Sequence, residues 1–356
     1  MAIRGEQPAS AKKAEHNVMV SNLSRQTIDQ SAFQHAVVRS QNELFSDMDL
    51  PLRRTFYPLG FAVDILTNDP EVLQAADESF GHRRLRHGSG ALEIRVGVTE
   101  GGGRQCPPEP TRREYNHLYS LVADVENQAL LDLRTGTNFV WLNGSALKNR
   151  LYFRHNFLEK VVYLLLGASV VTDLHAGCVG KNGKGILLCG DSGAGKTTLS
   201  YACARAGWTY TSDDTSYLIN RSSVPRVIGH AHRVRFRPAA KGIFPELEHR
   251  EITPRMEGKA SIELPISDLP PINTSSEATV RSIVYLSRYT GAKAALIPLP
   301  EGTATERMGK ELYSAGEIRT KHEKILEKLA GVPTFELQYC ELDEAIEQLA
   351  LLAGKL

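Results

Sequence analysis

The apolar run Ile186-Leu187-Leu188-Cys189 passes without a spacer into Gly190-Asp191-Ser192-Gly193-Ala194-Gly195-Lys196-Thr197, and a helix-like stretch from Thr198 to Ala206 follows at once. Few local patterns restrict a chain more. A buried strand must end in a turn tight enough for successive backbone amides to converge on one point, and glycine at 190, 193 and 195 permits that approach. The helix contributes the positive end of its dipole, Lys196 a cation and Thr197 a hydroxyl. This is the spacing of a phosphate-binding loop, G-x-x-x-x-G-K-[ST], in its required strand-loop-helix setting. The chain is therefore expected to be an α/β protein that holds ATP through residues 190–198, from Gly190 to Thr198, with Lys196 toward the outer phosphates and Thr197 toward Mg2+.

Composition narrows the partners. With 356 residues, 42% hydrophobic and 23% charged, the chain can bury substantial cores and its length suggests two domains. Forty-two Lys and Arg against 41 Asp and Glu leave a net charge of +1, so no global field draws it to nucleic acid or an anionic membrane, and neither partner is expected. The five cysteines, Cys106, Cys178, Cys189, Cys203 and Cys340, are scattered and lack C-x-x-C spacing. Neither a disulfide framework nor a zinc site is indicated, and a reducing, cytoplasmic setting is expected. The polar start and the lack of a long apolar run argue against secretion and membrane insertion.

Three regions are expected. Residues 1–50, rich in Ser, Gln and Asn, suit a flexible or helical arm. Residues 51–148 alternate like strands at Gly60–Leu66, Leu92–Val96, Tyr115–Val122, Gln128–Leu133 and Asn138–Leu142, with a helix opening at Asp69-Pro70, and read as a small α+β domain with an antiparallel sheet. Gly101–Pro110 reads as an exposed loop. Residues 149–356 begin with a helix over Leu151–Leu166 and form the nucleotide-binding half. There, Asp173–Val179 and Gly185–Cys189 are expected to pair as strands about Asn182-Gly183. Further strands are expected at Thr209–Asp214, Ser216–Ile219, Val227–Phe236, Thr279–Leu286, Ala295–Leu299 and Thr334–Gln338, and two helices close the chain, the first broken near Ala315-Gly316.

Asp213 and Asp214 close the strand-like run after the loop helix, where acids are wanted. The second strand of such a unit is expected close to the first, bringing one carboxylate to magnesium and its neighbour to the proton of an attacking hydroxyl. Considered alone, Ser-Asp-Asp-Thr is also ordinary turn chemistry. His175 is expected on a strand beside the one feeding the loop.

Taken together, Leu174-His-Ala-Gly-Cys-Val179, Gly185 to Thr198 and Ser212-Asp-Asp-Thr-Ser-Tyr217 resemble the catalytic domain of the HPr kinase/phosphorylase family and the related HPrK-like serine kinases, over roughly Val171 to Ile219. The resemblance implies a P-loop domain of the type shared with phosphoenolpyruvate carboxykinase, preceded by the smaller α+β domain. It implies that Asp213 is the general base toward a serine hydroxyl, that Lys196 stabilises the transferred phosphoryl group, that Thr197 and Asp214 serve the metal, and that His175 sits beside the phosphates. The acceptor would be a hydroxyl-bearing protein, peptide or small molecule; homo-oligomers are left open. The loop ending Gly195-Lys196-Thr197-Thr198-Leu199-Ser200 also resembles ATP-dependent phosphoenolpyruvate carboxykinase, so carboxykinase-like chemistry and a nucleotide-binding regulatory module without transfer are the alternatives.

One departure stands out. The family's signature glutamate has no counterpart in Gly229-His-Ala-His-Arg-Val-Arg-Phe-Arg-Pro238, which leaves the second metal ligand unassigned, with Glu246 and Glu248 nearby, and argues against a reverse phosphorylase reaction. The same segment would place Arg233, Arg235 and Arg237 on one strand face, as a phosphate or carboxylate clamp or as a solvated edge. Arg255 and Lys259 lie in a candidate substrate-side loop. The cluster His82-Arg-Arg-Leu-Arg-His87, with Arg112-Arg113, could meet an acidic partner or be a solvated surface.

Overall fold

The computed structural model describes residues 48–356, other than 89, 101–106, 254–258, 289, 290, 292 and 313. Residues Asp49–Leu356 form one compact unit. The arm expected over 1–50 lies almost wholly outside the described residues, as does most of the loop expected over 101–110.

Seven strands form the first sheet: β1 (Leu52–Phe56), β2 (Val63–Thr67), β3 (Leu92–Thr99), β4 (Thr111–Tyr115), β5 (Leu118–Val122), β6 (Gln128–Asp132) and β7 (Thr137–Asn143), in the order β1-β2-β3-β7-β6-β5-β4. The sheet is mixed, which corrects the antiparallel expectation. Strands β2, β3 and β7 run parallel, because helix α1 (Pro70–Phe80) carries the chain back along the sheet between β2 and β3. Asp69 caps α1 by accepting from the Glu71 amide at 2.8 Å, and Pro70 occupies a first-turn position where no amide is needed. The run read as one strand over Tyr115–Val122 is instead a hairpin of β4 and β5. It reverses at Asn116, whose φ of 55° asparagine tolerates better than most residues.

After β7 the chain is helical in pieces: α2 (Gly144–Lys148), α3 (Arg150–Phe153), a π-helical stretch (Arg154–Glu159) and α4 (Lys160–Ser169). Helix α4 buries Val161, Val162, Leu165 and Leu166 in a core that also takes Val63 and Ile65 of the first sheet and Tyr217 and Ile228 of the second. At roughly 2 kcal/mol for each buried aliphatic side chain, this shared core is a major source of cohesion for the unit.

The second sheet has ten strands: β8 (Val171–Leu174), β9 (Gly177–Lys181), β10 (Lys184–Cys189), β11 (Thr209–Ser212), β12 (Ser216–Ile219), β13 (Arg226–Gly229), β16 (Asn273–Thr274), β17 (Glu277–Arg288), β18 (Ala295–Pro298) and β19 (Thr334–Tyr339). Two short strands, β14 (Arg233–Phe236) and β15 (Ile262–Pro265), pair separately. The main path is β16-β11-β9-β10-β17-β13-β12-β8, with β19 on β17 and β18 on β19. The expected hairpin of β9 and β10 forms about Asn182 (φ 53°) and Gly183 (φ 76°), both left-handed. That hairpin puts β9 between β10 and β11, so the strand after the loop helix α5 (Lys196–Arg205) lies one place further from β10 than expected. Helices α6 (Thr303–Glu311) and α7 (Gly316–Leu326) break where glycine at 316 takes a φ of 53°, and α8 (Leu342–Lys355) ends the chain. Among the described residues no helix is long and apolar enough to cross a membrane.

Candidate functional site

Strand β10 is pinned between β9 and β17, with Ile186, Leu187 and Leu188 fully buried. The chain leaves it through Gly190 (φ 137°), Gly193 (φ 99°) and Gly195 (φ 103°), a backbone that side chains rarely adopt. At Gly195 a Cβ would also stand 2.5 Å from the Tyr339 hydroxyl, which donates to the Ala194 carbonyl at 3.1 Å. Helix α5 starts directly from this loop, Leu199 N donating to Gly195 O at 2.8 Å.

Lys196 is buried at 5% exposure. Its ammonium donates to Gly190 O at 2.6 Å, Asp191 O at 3.3 Å and Nε2 of His175 at 3.0 Å. All three acceptors are neutral or paired through an uncharged ring nitrogen, and burial holds the ammonium below its ordinary pKa. An ammonium can only donate, so Nε2 of His175 accepts and Nδ1 carries the ring proton toward Asp214 Oδ1, 3.6 Å away. His175 is not within a strand as expected. It occupies the break between β8 and β9, where Ala176 N turns back to Leu174 O at 2.8 Å.

Asp213 follows β11 and is 8% exposed. Its Oδ2 accepts from the Arg235 amide at 3.1 Å. Burial pushes its carboxyl up to about 6, against the pull of that amide, and the adjacent Asp214 carboxylate adds to the rise. Asp214 is half exposed, at 46% of its side chain.

Two cavities meet at this pair. One, of about 480 Å³, is bounded by Ser192, Gly193, Gly195, Thr197 and Thr198, with five cations (Lys196, Arg235, Arg237, Lys259, Arg288) facing one carboxylate, Asp214. The other, of about 270 Å³, lies between the π-helical stretch with α4 and strand β14, and its walls include His155, Tyr163, Asp213, Arg233 and Glu263. Asp214 and Arg235 line both. The Nε of Arg235 is buried without a hydrogen-bond partner among the described residues. Such an imbalance of charge around an enclosed volume suits a polyanion.

The chain matches no family model, and it matches no curated protein. Among solved structures it is similar to the Hpr(Ser) kinase/phosphatase from Coxiella burnetii, at 11% identity over 52% of this chain and 93% of that one, with a TM-score of 0.29. A likeness that distant says nothing of this chain's activity.

Of the three arginines expected on one strand face, Arg233 and Arg235 share the smaller cavity, and Arg235 and Arg237 share the larger. Arg233 and Arg235 alternate with buried Val234 and Phe236 on β14, whereas Arg237 precedes the 3-10 turn Pro238–Gly242 and donates to Lys259 O at 3.2 Å. Lys259 reaches Ser192 Oγ at 3.4 Å, and Arg255 lies outside the described residues. Glu246 is turned away from the site. Its carboxylate accepts from Tyr201 Oη at 2.7 Å and pairs with Arg205, the last residue of α5, and it lines neither cavity. Glu263, which sequence reasoning missed, stands opposite Arg235 across β14 and β15 and pairs with Arg233 at 3.1 Å. Arg288 and Tyr339 were missed as well, since their place beside the loop comes from the parallel pairing of β17 with β19 rather than from any motif. No group of three or more His, Cys, Asp or Glu among the described residues could hold a metal alone. The donor set of Thr197 and Asp214, both lining the larger cavity, suits magnesium, which keeps waters and shares phosphate oxygens.

Proposed function

We propose that the chain is an ATP- and Mg2+-dependent kinase of the HPrK-like type, which transfers the γ-phosphate to a hydroxyl of a protein, peptide or small molecule. The observation that carries this reading is the junction of the two cavities: Asp214 and Arg235 line both, and Asp213 opens only into the smaller. A triphosphate in the larger cavity would thus face a proton acceptor whose free side belongs to a separate compartment.

On this reading the glycine-rich stretch from Gly190 is a P-loop, and its amides with those opening α5 hold the phosphate chain. Lys196, buried with no oppositely charged group in hydrogen-bond reach among the described residues, would supply a cation to the outer phosphates. His175 holds Lys196 on one side and Asp214 on the other. Mg2+ bound by Thr197 and Asp214 would neutralise charge on the transferred group. Asp213 takes the proton of the acceptor hydroxyl as its oxygen bonds to the γ-phosphorus and the bond to ADP breaks. A base titrating near 6 is deprotonated at neutral pH yet retains basicity, which suits that role.

The test is transfer from γ-labelled ATP into fractionated lysate by the protein and by Asp213→Asn. Nucleotide binding should persist in the variant while transfer falls by about 10²-fold or more. Wild-type turnover in Asp213→Asn would remove the proposed base; label released only as free phosphate by both forms would favour an ATPase, and nucleotide binding with no release of label would favour a regulatory module.

A further inference from the structure

The segment that follows α1 is the one strongly charged feature that the phosphoryl-transfer reading leaves unused. It is fastened at both ends: Arg83 N donates to Phe80 O at 2.9 Å, and the amides of Arg86 and His87 both donate to Gly60 O, at 2.9 and 3.0 Å. The Arg83 guanidinium turns inward, with Nη2 at 2.8 Å from Nδ1 of His230 and 3.2 Å from Nδ1 of His232. Arg84 and Arg86 stay exposed, and neither side chain has a hydrogen bond or ion pair among the described residues. Arg112, adjacent to these in the sequence reading, is elsewhere, tied to Glu114 and Tyr119 at 2.8 Å each.

These arginines border a third cavity, of about 880 Å³, whose far wall includes His232, Ser275 and Ser276. Among the described residues, three arginines and two histidines line it and no carboxylate does. Its partition from the cavity beside Asp213 is thin, because Arg83 and His232 line this side and His230, bonded to Arg83, lines the other. His232 lies three residues before Arg235, whose amide donates to Asp213, so the two sides of the partition are joined by one short stretch of chain.

We infer that the phosphate acceptor is a polypeptide with acidic residues near the hydroxyl that is phosphorylated, docked on Arg84 and Arg86. The inference rests on the kinase reading above and names its substrate class. An extended peptide with its hydroxyl at Asp213 would carry its neighbouring acidic side chains toward the arginines, whose guanidinium groups, without a partner among the described residues, match carboxylates bidentately. A nucleic acid fits less well: among the described residues no Phe, Tyr or Trp lines the cavity to stack a base, and the chain's net charge is only +1.

The test uses fluorescein-labelled peptides containing one serine, with glutamate, alanine or lysine at the positions two to five residues to either side. Binding is read by anisotropy and transfer by γ-labelled ATP. The glutamate peptide should be preferred by about tenfold in kcat/KM over the alanine peptide, the preference should narrow between 50 and 500 mM salt, roughly as screening requires, and Arg84→Glu/Arg86→Glu should abolish or invert it. Equal use of all three peptides, or a preference that survives in the double variant, overturns the inference while the kinase reading stands. A poly-dT oligonucleotide that displaces the glutamate peptide from these arginines at higher affinity overturns it in favour of nucleic acid. Arginine-dependent binding of the glutamate peptide without any labelling supports the docking surface and refutes the kinase reading instead.

Discussion

Replacing Asp213 by asparagine should stabilise the metal-free, nucleotide-free protein even as it removes the proposed proton acceptor. In the folded chain the carboxyl titrates near 6 against an ordinary 3.8, with burial as the leading cause. The folded form therefore keeps its proton to higher pH than the unfolded form. This group costs stability above pH 6, and the cost fades as pH falls from 6 toward 3.8, where both forms are protonated. The size is roughly 3 kcal/mol at pH 7 and about half that at pH 5. Asparagine retains the shape and an oxygen to accept from the Arg235 amide, so little packing is lost with the charge. Urea and thermal unfolding in EDTA at both pH values would measure it, with Asp214→Asn, at a half-exposed carboxylate, as the control. The Asp213→Asn midpoint should rise by about 5 °C at pH 7 for a unit of this size, and by less at pH 5. A variant no more stable at pH 7, or one whose gain is the same at both pH values, would show that the carboxylate is not desolvated and would undercut its proposed basicity.

Two further substitutions probe the surroundings. Gly195→Ala places a Cβ 2.5 Å from the Tyr339 hydroxyl on a backbone of φ 103°. It should cost about 1–3 kcal/mol of stability and weaken nucleotide binding about tenfold by calorimetry, with partial recovery in Gly195→Ala/Tyr339→Phe; unaltered affinity would mean the loop does not hold the nucleotide. Glu246→Gln loosens the Tyr201 and Arg205 contacts and should lower stability by about 1 kcal/mol while leaving the magnesium requirement of nucleotide binding unchanged, whereas a raised requirement would return Glu246 to the metal.

Much of the local structure was legible because it depends on neighbours in the chain. The glycines from 190 to 195 need their positive φ wherever the loop sits, the Asn182-Gly183 hairpin carries its own turn geometry, and α1 begins at its own cap, Asp69. The misreadings share a different cause. Tyr115–Val122 and Val227–Phe236 each read as one strand because alternation continues through a short turn, and the residues that reverse the chain, Asn116 and the His230–His232 stretch, carry weak turn signals. The first sheet was expected to be antiparallel because strand direction is decided by the α1 crossover rather than by the strands themselves.

What the sequence determined alone is the cradle: a buried strand, a glycine-rich turn, Lys196 at the head of a helix and an acid pair at the end of the next strand. Each part is a short-range consequence of side-chain size, backbone freedom and charge. Only the tertiary structure decided what surrounds it. Pairing of β14 with β15 brings Glu263 to Arg233 and Arg235, pairing of β17 with β19 sets Tyr339 under Gly195, and packing around α1 and β14 carries Arg83 to His230 and His232, 147 and 149 residues away. No periodicity encodes those meetings, because they arise where hydrophobic surfaces far apart in the chain are buried against one another, and polar side chains are carried along with them.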